Sequence, residues 1–119
     1  MRQPGADHPI TIVPHPGRIR IRLAGTLLAE TDAALMLTEA NYPPVVYVPR
    51  ADARWAHFTP TARRTHCPYK GDASYFSLTT PDASRADAVW SYEAPYPAVA
   101  AIAGHLAFYT DKIDPIELA

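Results

Sequence analysis

"RIRIRL", Arg18 to Leu23, alternates strictly: Arg18, Arg20 and Arg22 share one face, and Ile19, Ile21 and Leu23 share the other. A two-residue period that puts every aliphatic side chain on one side is the pattern of a half-buried strand. Gly25 marks a turn in "AGT", and "LLAET" (Leu27–Thr31) returns, so the segment predicts a β-hairpin. The arginine face reads as a solvated strand face. Binding of an anion or a partner by its three guanidiniums is the minor alternative.

Downstream the same kind of signal recurs at short intervals. "AALMLTE" (Ala33–Glu39) has helical propensity, but its short length and its place between strand signals predict a strand. Pro43 and Pro44 end it, since neither can donate to a ladder. "VVYV" (Val45–Val48) is β-branched and apolar, and Pro49 stops it. "RADARWAHF" implies a turn at Asp52 and a short strand near Trp55–Phe58. "ASYFSLTT" and "DAVWSYE" read as neighbouring strands, with Pro81 to Asp87 as their connection. Pro97 to Ala103 is the best helix in the chain, with Gly104 as its natural stop. "HLAFY" is a last strand. Upstream, residues 1–17 carry prolines and glycines without a period and predict an irregular N-terminal arm. Residues 18–119 then form a single mostly-β domain.

Composition bounds the function. The chain has 119 residues, the size of one domain, and nearly half of them are hydrophobic, enough for a core. A net charge of −1 argues against a general nucleic-acid binder. No segment has the roughly 20 apolar residues needed to span a bilayer, and the N-terminus lacks the apolar run of a signal peptide. The single cysteine cannot form an internal disulfide and suits a reducing cytoplasm. Exposed strand edges are compatible with a monomer or a homodimer.

The densest chemistry lies in "TARRTHCPYKGDASY", Thr61 to Tyr75, read as a loop between two strands. Arg63, Arg64, His66 and Lys70 would favour a Cys67 thiolate. In an extended segment, however, His66 points away from Cys67 and is no obvious base. The plain alternative is a small packed thiol. His57, His66 and Cys67 lack the paired spacing of a metal site, so no metal or other cofactor is expected. Lys70 before Gly71 is a candidate anion contact, presented to solvent by a flexible turn. The glycine and hydroxyl spacing of a phosphate-binding loop is absent. Trp90 and Tyr92, two residues apart on one strand, either build core or line a pocket.

Together, "THCPYKGDASY", "VWSYEAPYP", "IAGHLAFY" and "TEANYPPVVYVPRADA" resemble the bacterial domain-of-unknown-function family 427, over about Arg18 to Asp111. The resemblance implies a β-tent of the Mss4-like type: two antiparallel sheets pinned at one edge, with one short helix. The family pattern falls on Glu39, Tyr47, Arg50, Asp52, Cys67, Pro68, Tyr69, Lys70, Gly71, Tyr75, Trp90 and Tyr92. The paired cysteines that hold zinc in many β-tent relatives are missing. The family also carries a nucleotidyltransferase-like label. Metal-dependent nucleotidyl transfer needs paired carboxylates beside a phosphate loop, and neither is found. The function expected is therefore an uncharacterised small-molecule-binding domain, with catalysis left open, for an anionic or polar-aromatic ligand. Tyr47, Arg50, Lys70, Trp90 and Tyr92 would bind it, and Cys67 and Glu39 are the catalytic candidates. The alternative is a protein- or peptide-interaction module using the same aromatic cleft.

Overall fold

A computed structural model describes residues 1–118. The arginine hairpin forms as its alternation predicts. Strands β2 (Ile19–Leu23) and β3 (Thr26–Thr31) pair antiparallel, and β10 (Glu117–Leu118) adds to the outer edge of β2. Ala24 and Gly25 both take positive φ, 48° and 82°, the two left-handed residues of a tight hairpin turn whose twist matches its strands. Ile19, Ile21 and Leu23 are fully buried. The arginines on the opposite face are paired with Asp32, Glu30 and Glu117 rather than free in solvent.

Two further sheets complete the fold. One has the order β1 (Ile10–Pro14), β4 (Leu35–Glu39), β5 (Val45–Tyr47). The other has the order β6 (Phe58–Cys67), β7 (Gly71–Thr80), β8 (Ala83–Ser91), β9 (Ala107–Phe108). All strand pairs are antiparallel, so the mostly-β reading holds, with three sheets in place of two. The last two sheets meet at a bridge where Val48 and Leu106 exchange both backbone hydrogen bonds, each at 2.8 Å. Beyond that bridge they enclose the space in which the candidate site lies.

Five sequence expectations are corrected. The N-terminal arm is not irregular throughout: β1 lies within it and pairs with the whole of β4. Pro9 before it and Pro14 at its end hid a strand whose Ile10 and Ile12 pack against the core. The stretch Thr61 to Tyr75 is a hairpin with a three-residue turn, Pro68 to Lys70, because β6 and β7 pair up to Cys67 and Gly71. Trp55–His57 is a 3-10 turn rather than a strand, and β8 begins at Ala83, so the connection after β7 is only Pro81 and Asp82. In place of the helix expected over Pro97–Ala103 there is a 3-10 segment, Pro97–Ile102, broken at Val99. It is one of four short 3-10 turns among the described residues, and none of their helices is long and apolar enough to cross a membrane.

Two buried clusters divide the interior. The first joins the β2–β3 hairpin to Phe58, Phe76, Leu78, Val89 and Phe108. The second gathers Leu37, Tyr47, Ala73, Tyr75, Tyr92, Val99 and Ile102. Strand β7 serves both. A register shift between Phe76 and Leu78 breaks its alternation, so neighbours Tyr75 and Phe76 are both buried, one in each cluster.

Candidate functional site

The site is built on the Pro68–Lys70 turn. Gly71 closes that turn with φ of 107°, a conformation a side chain would strain. The Lys70 carbonyl accepts a hydrogen bond from the Tyr96 N–H at 3.0 Å, so the backbone is tied on its far side as well. The Lys70 side chain consequently runs inward. Only 7% of the residue is exposed, which overturns the solvated cation expected from the sequence. Its ammonium donates to Glu39 Oε1 from β4 and sits 5.8 Å from the centre of the Tyr92 ring. A buried ammonium without such a carboxylate would be very costly.

Glu39 is held from two sides. Its other oxygen, Oε2, lies 2.7 Å from His8 Nε2, and the His8 ring stacks on Tyr69 with centroids 3.8 Å apart and planes 7° from parallel. The Arg2 N–H donates to the Pro68 carbonyl at 2.7 Å. The N-terminal segment thus straps the turn and completes the ion pair. Burial alone would raise the Glu39 carboxyl. The hydrogen bonds from Lys70 and His8 outweigh it and leave the carboxyl below its ordinary value, ionised at neutral pH.

Aromatic residues wall the space beyond the pair. A cleft of about 280 Å³ is bounded by Glu39, Lys70, Tyr47, Tyr92, Trp90 and Tyr109, with Tyr42 and Pro43 at its mouth. Trp90 meets Tyr47 edge to face, 6.5 Å between centroids at 88°, and its indole N–H donates to the Tyr47 hydroxyl at 3.4 Å. Tyr109 leans on Trp90 at 4.7 Å, and its hydroxyl lies 3.5 Å from that of Tyr75, which contacts Thr65 Oγ1 at 2.9 Å. Burial pushes the Tyr47 and Tyr92 phenols well above their ordinary value. Burial, then the hydrogen bond with Tyr75, lifts Tyr109 to about 12. The phenols are therefore neutral hydrogen-bonding groups at physiological pH.

Of the predicted site residues, Glu39, Tyr47, Lys70, Trp90 and Tyr92 come together here. Arg50 does not. Its guanidinium bonds Glu93 at 2.9 Å, touches Ser91 Oγ at 3.4 Å and lies over Trp55 and Phe76, outside the cleft lining. Asp52 accepts a hydrogen bond from Thr31 at 2.7 Å, also elsewhere. Cys67 is partly exposed and packs against the second cluster without lining the cleft. His66 turns away from it to Asp72, at 2.7 Å, and His57 contacts the Thr79 carbonyl. Sequence reasoning missed His8, Tyr42 and Tyr109. Tyr109 carried a signal, as the end of "HLAFY", whereas His8 lies in a stretch without a period.

A profile described as Domain of unknown function (DUF427) matches residues 11–118. The chain belongs to the DUF427 family. That match runs from the second residue of β1 through β10, so β4 to β9, which frame the cleft, fall wholly within the family region. His8 and Arg2 lie upstream of it, so in this DUF427 chain the strap comes from outside the matched region. A search of curated proteins finds no match.

Proposed function

We propose that this DUF427 chain is a small-molecule-binding domain whose ligand is a neutral, planar, polar ring. The observation that carries the reading is the cleft itself: about 280 Å³ with aromatic walls and the Lys70–Glu39 pair at one end. A few convergent polar groups in an otherwise apolar recess are the usual makeup of a ligand site, and the volume lies just under the small end of the usual range, about 300 Å³. The charge balance argues against an anionic ligand. Lys70 already faces a carboxylate, so an incoming anion would meet Glu39 as well as the ammonium. It also argues for binding over acid–base catalysis, because both Glu39 oxygens are engaged.

The test is an NMR titration with two isosteric probes, benzamide and benzoate. Benzamide should shift the Trp90 indole resonance and bind more tightly than benzoate, and Trp90→Leu should weaken it roughly tenfold, the size of one lost aromatic contact. Preference for benzoate, lost in Lys70→Met, would restore the anionic ligand. No shift from either probe would leave the cleft a structural feature. One observation favours a peptide as a second reading: Tyr42 is 62% exposed beside exposed Pro43 and Pro44 at the mouth. Shifts spreading over that loop with a tyrosine- or proline-containing peptide, and absent with benzamide, would select it.

A further inference from the structure

A second recess opens beside Trp90. It measures about 410 Å³ and is lined by Ile21, Pro44, Val46, Phe108 and Ile116, with Thr110 and Asp111 at its rim. No charged side chain lines its apolar part, in contrast to the Lys70–Glu39 end of the cleft. The two recesses are not independent: Tyr42, Pro43, Val45, Trp90 and Tyr109 line both. The Trp90–Tyr109 pair therefore borders both a polar compartment and an apolar one.

We infer that one ligand spans both compartments: an amphipathic small molecule with a polar aromatic head in the cleft and an alkyl or similarly apolar tail over Trp90 in the larger recess. The inference rests on the ligand-binding reading above and names the class of ligand. Two arguments carry it. The cleft alone falls just short of the volume usual for a small-molecule site, whereas the two adjacent recesses taken together fall well within the range. The polarity also differs between the two, with the Lys70–Glu39 pair and phenol hydroxyls lining the cleft and mainly aliphatic and proline side chains lining the larger recess. An amphipathic molecule matches that order in one orientation only. A uniformly polar ligand would leave the larger recess in contact with water, and a uniformly apolar one would offer no acceptor to the N–H donors of Lys70 that do not face Glu39.

The test uses 4-alkylbenzamides from methyl to hexyl, with affinities measured by isothermal titration calorimetry. On the wild-type chain, affinity should rise with chain length, by about fourfold per methylene while the tail remains within the recess. The blocking variant is Thr110→Trp, an exposed residue that lines only the larger recess. It should keep the affinity for the methyl compound and lose the gain from longer tails. Thermal unfolding of the variant verifies that it is folded. Should it unfold early, Pro44→Trp, at another exposed position of the same recess, replaces it. If all members bind alike whatever the tail, the head site stands and the two-compartment ligand is overturned. If the gain with length persists in the blocked variants, the tail lies elsewhere and the inference is likewise overturned. If even the methyl compound fails to bind, both the inference and the ligand-binding reading fall.

Discussion

The chain carries two sets of ion pairs that look alike in composition and differ in setting. On the open face of the β2–β3 hairpin, Arg18, Arg20 and Arg22 pair across strands with Asp32, Glu30 and Glu117, and all six side chains keep substantial contact with water. Beneath the N-terminal strap, Lys70 and Glu39 pair with side chains 9% and 14% exposed. Water screens the first set and replaces any lost partner. In the second set, a lost partner leaves a charge in a poorly solvated place. The difference teaches that the count of ion pairs is uninformative here, and that burial decides which pair the fold depends on.

The largest effect tests that asymmetry directly. Lys70→Met should destabilise the protein by about 3–5 kcal/mol, since it strands the Glu39 carboxylate. The double variant Lys70→Met/Glu39→Leu should recover much of the loss, because no charge is then left unpaired. Urea unfolding of the two variants measures both numbers. A single variant within about 1 kcal/mol of wild type would mean that the buried pair behaves like a surface one.

The next effect concerns the strap. Deleting residues 1–9 removes the His8–Glu39 contact, the His8–Tyr69 stack and the Arg2–Pro68 hydrogen bond while keeping β1. The expected cost is about 2 kcal/mol, the scale of a hydrogen bond to a charged group with its stacking neighbour. An unchanged denaturation midpoint would show that the segment lies on the site without supporting it.

These two predictions also mark the limit of what was legible in the sequence. The hairpin could be read because its information is local: a strict two-residue period and a glycine turn within fourteen residues, Arg18 to Thr31. Lys70 could be seen to be special, but its partner could not, since Glu39 is 31 positions away and is brought near by pairing between sheets. The same holds for Tyr109 against Tyr75, 34 positions apart. β1 was hidden because its edge position tolerates the prolines that usually argue against a strand. The aromatic positions Tyr47, Trp90 and Tyr92 were legible through the family resemblance and their spacing, whereas Arg50 shared that resemblance and points elsewhere. The residue types were visible in the sequence, but which of them share a space follows from strand register.

A smaller effect, separable by salt, is the pH dependence. The Glu39 carboxyl lies below its ordinary value in the folded chain, so the fold binds the ionised form more tightly. Its stabilising contribution is complete above the ordinary carboxylate value of 4.5 and fades as pH falls through the folded value. Asp32, lowered first by its hydrogen bond to Arg18, acts in the same direction on the exposed face. Molar salt should remove the Asp32 part and leave most of the Glu39 part, because screening acts poorly on a partly buried pair. Unfolding curves from pH 7 to pH 3, in low and high salt, with Glu39→Gln as reference, separate the two. A wild-type profile that high salt turns into that of Glu39→Gln would place both carboxylates in the same solvated class.

The smallest effect closes the comparison from the exposed side. Arg20 forms the central pair of the ladder, with Glu30, and its side chain is 33% exposed. On the argument above, Arg20→Ala removes a partner that water can replace, so Glu30 is not left as a buried charge. The expected loss is about 0.5 kcal/mol, a typical value for a surface pair, and part of it comes from the aliphatic stem of Arg20 rather than from its charge. Arg20→Met keeps that stem and should cost less than Arg20→Ala, the reverse of Lys70→Met, where keeping the stem does not help. Arg20→Met should also converge on wild type as salt rises, since the pair it lacks is then screened in the parent as well, whereas Arg20→Ala should keep the part of its loss that comes from the stem. A loss for Arg20→Met approaching that of Lys70→Met would mean that the ladder, and not the strapped pair, anchors the fold.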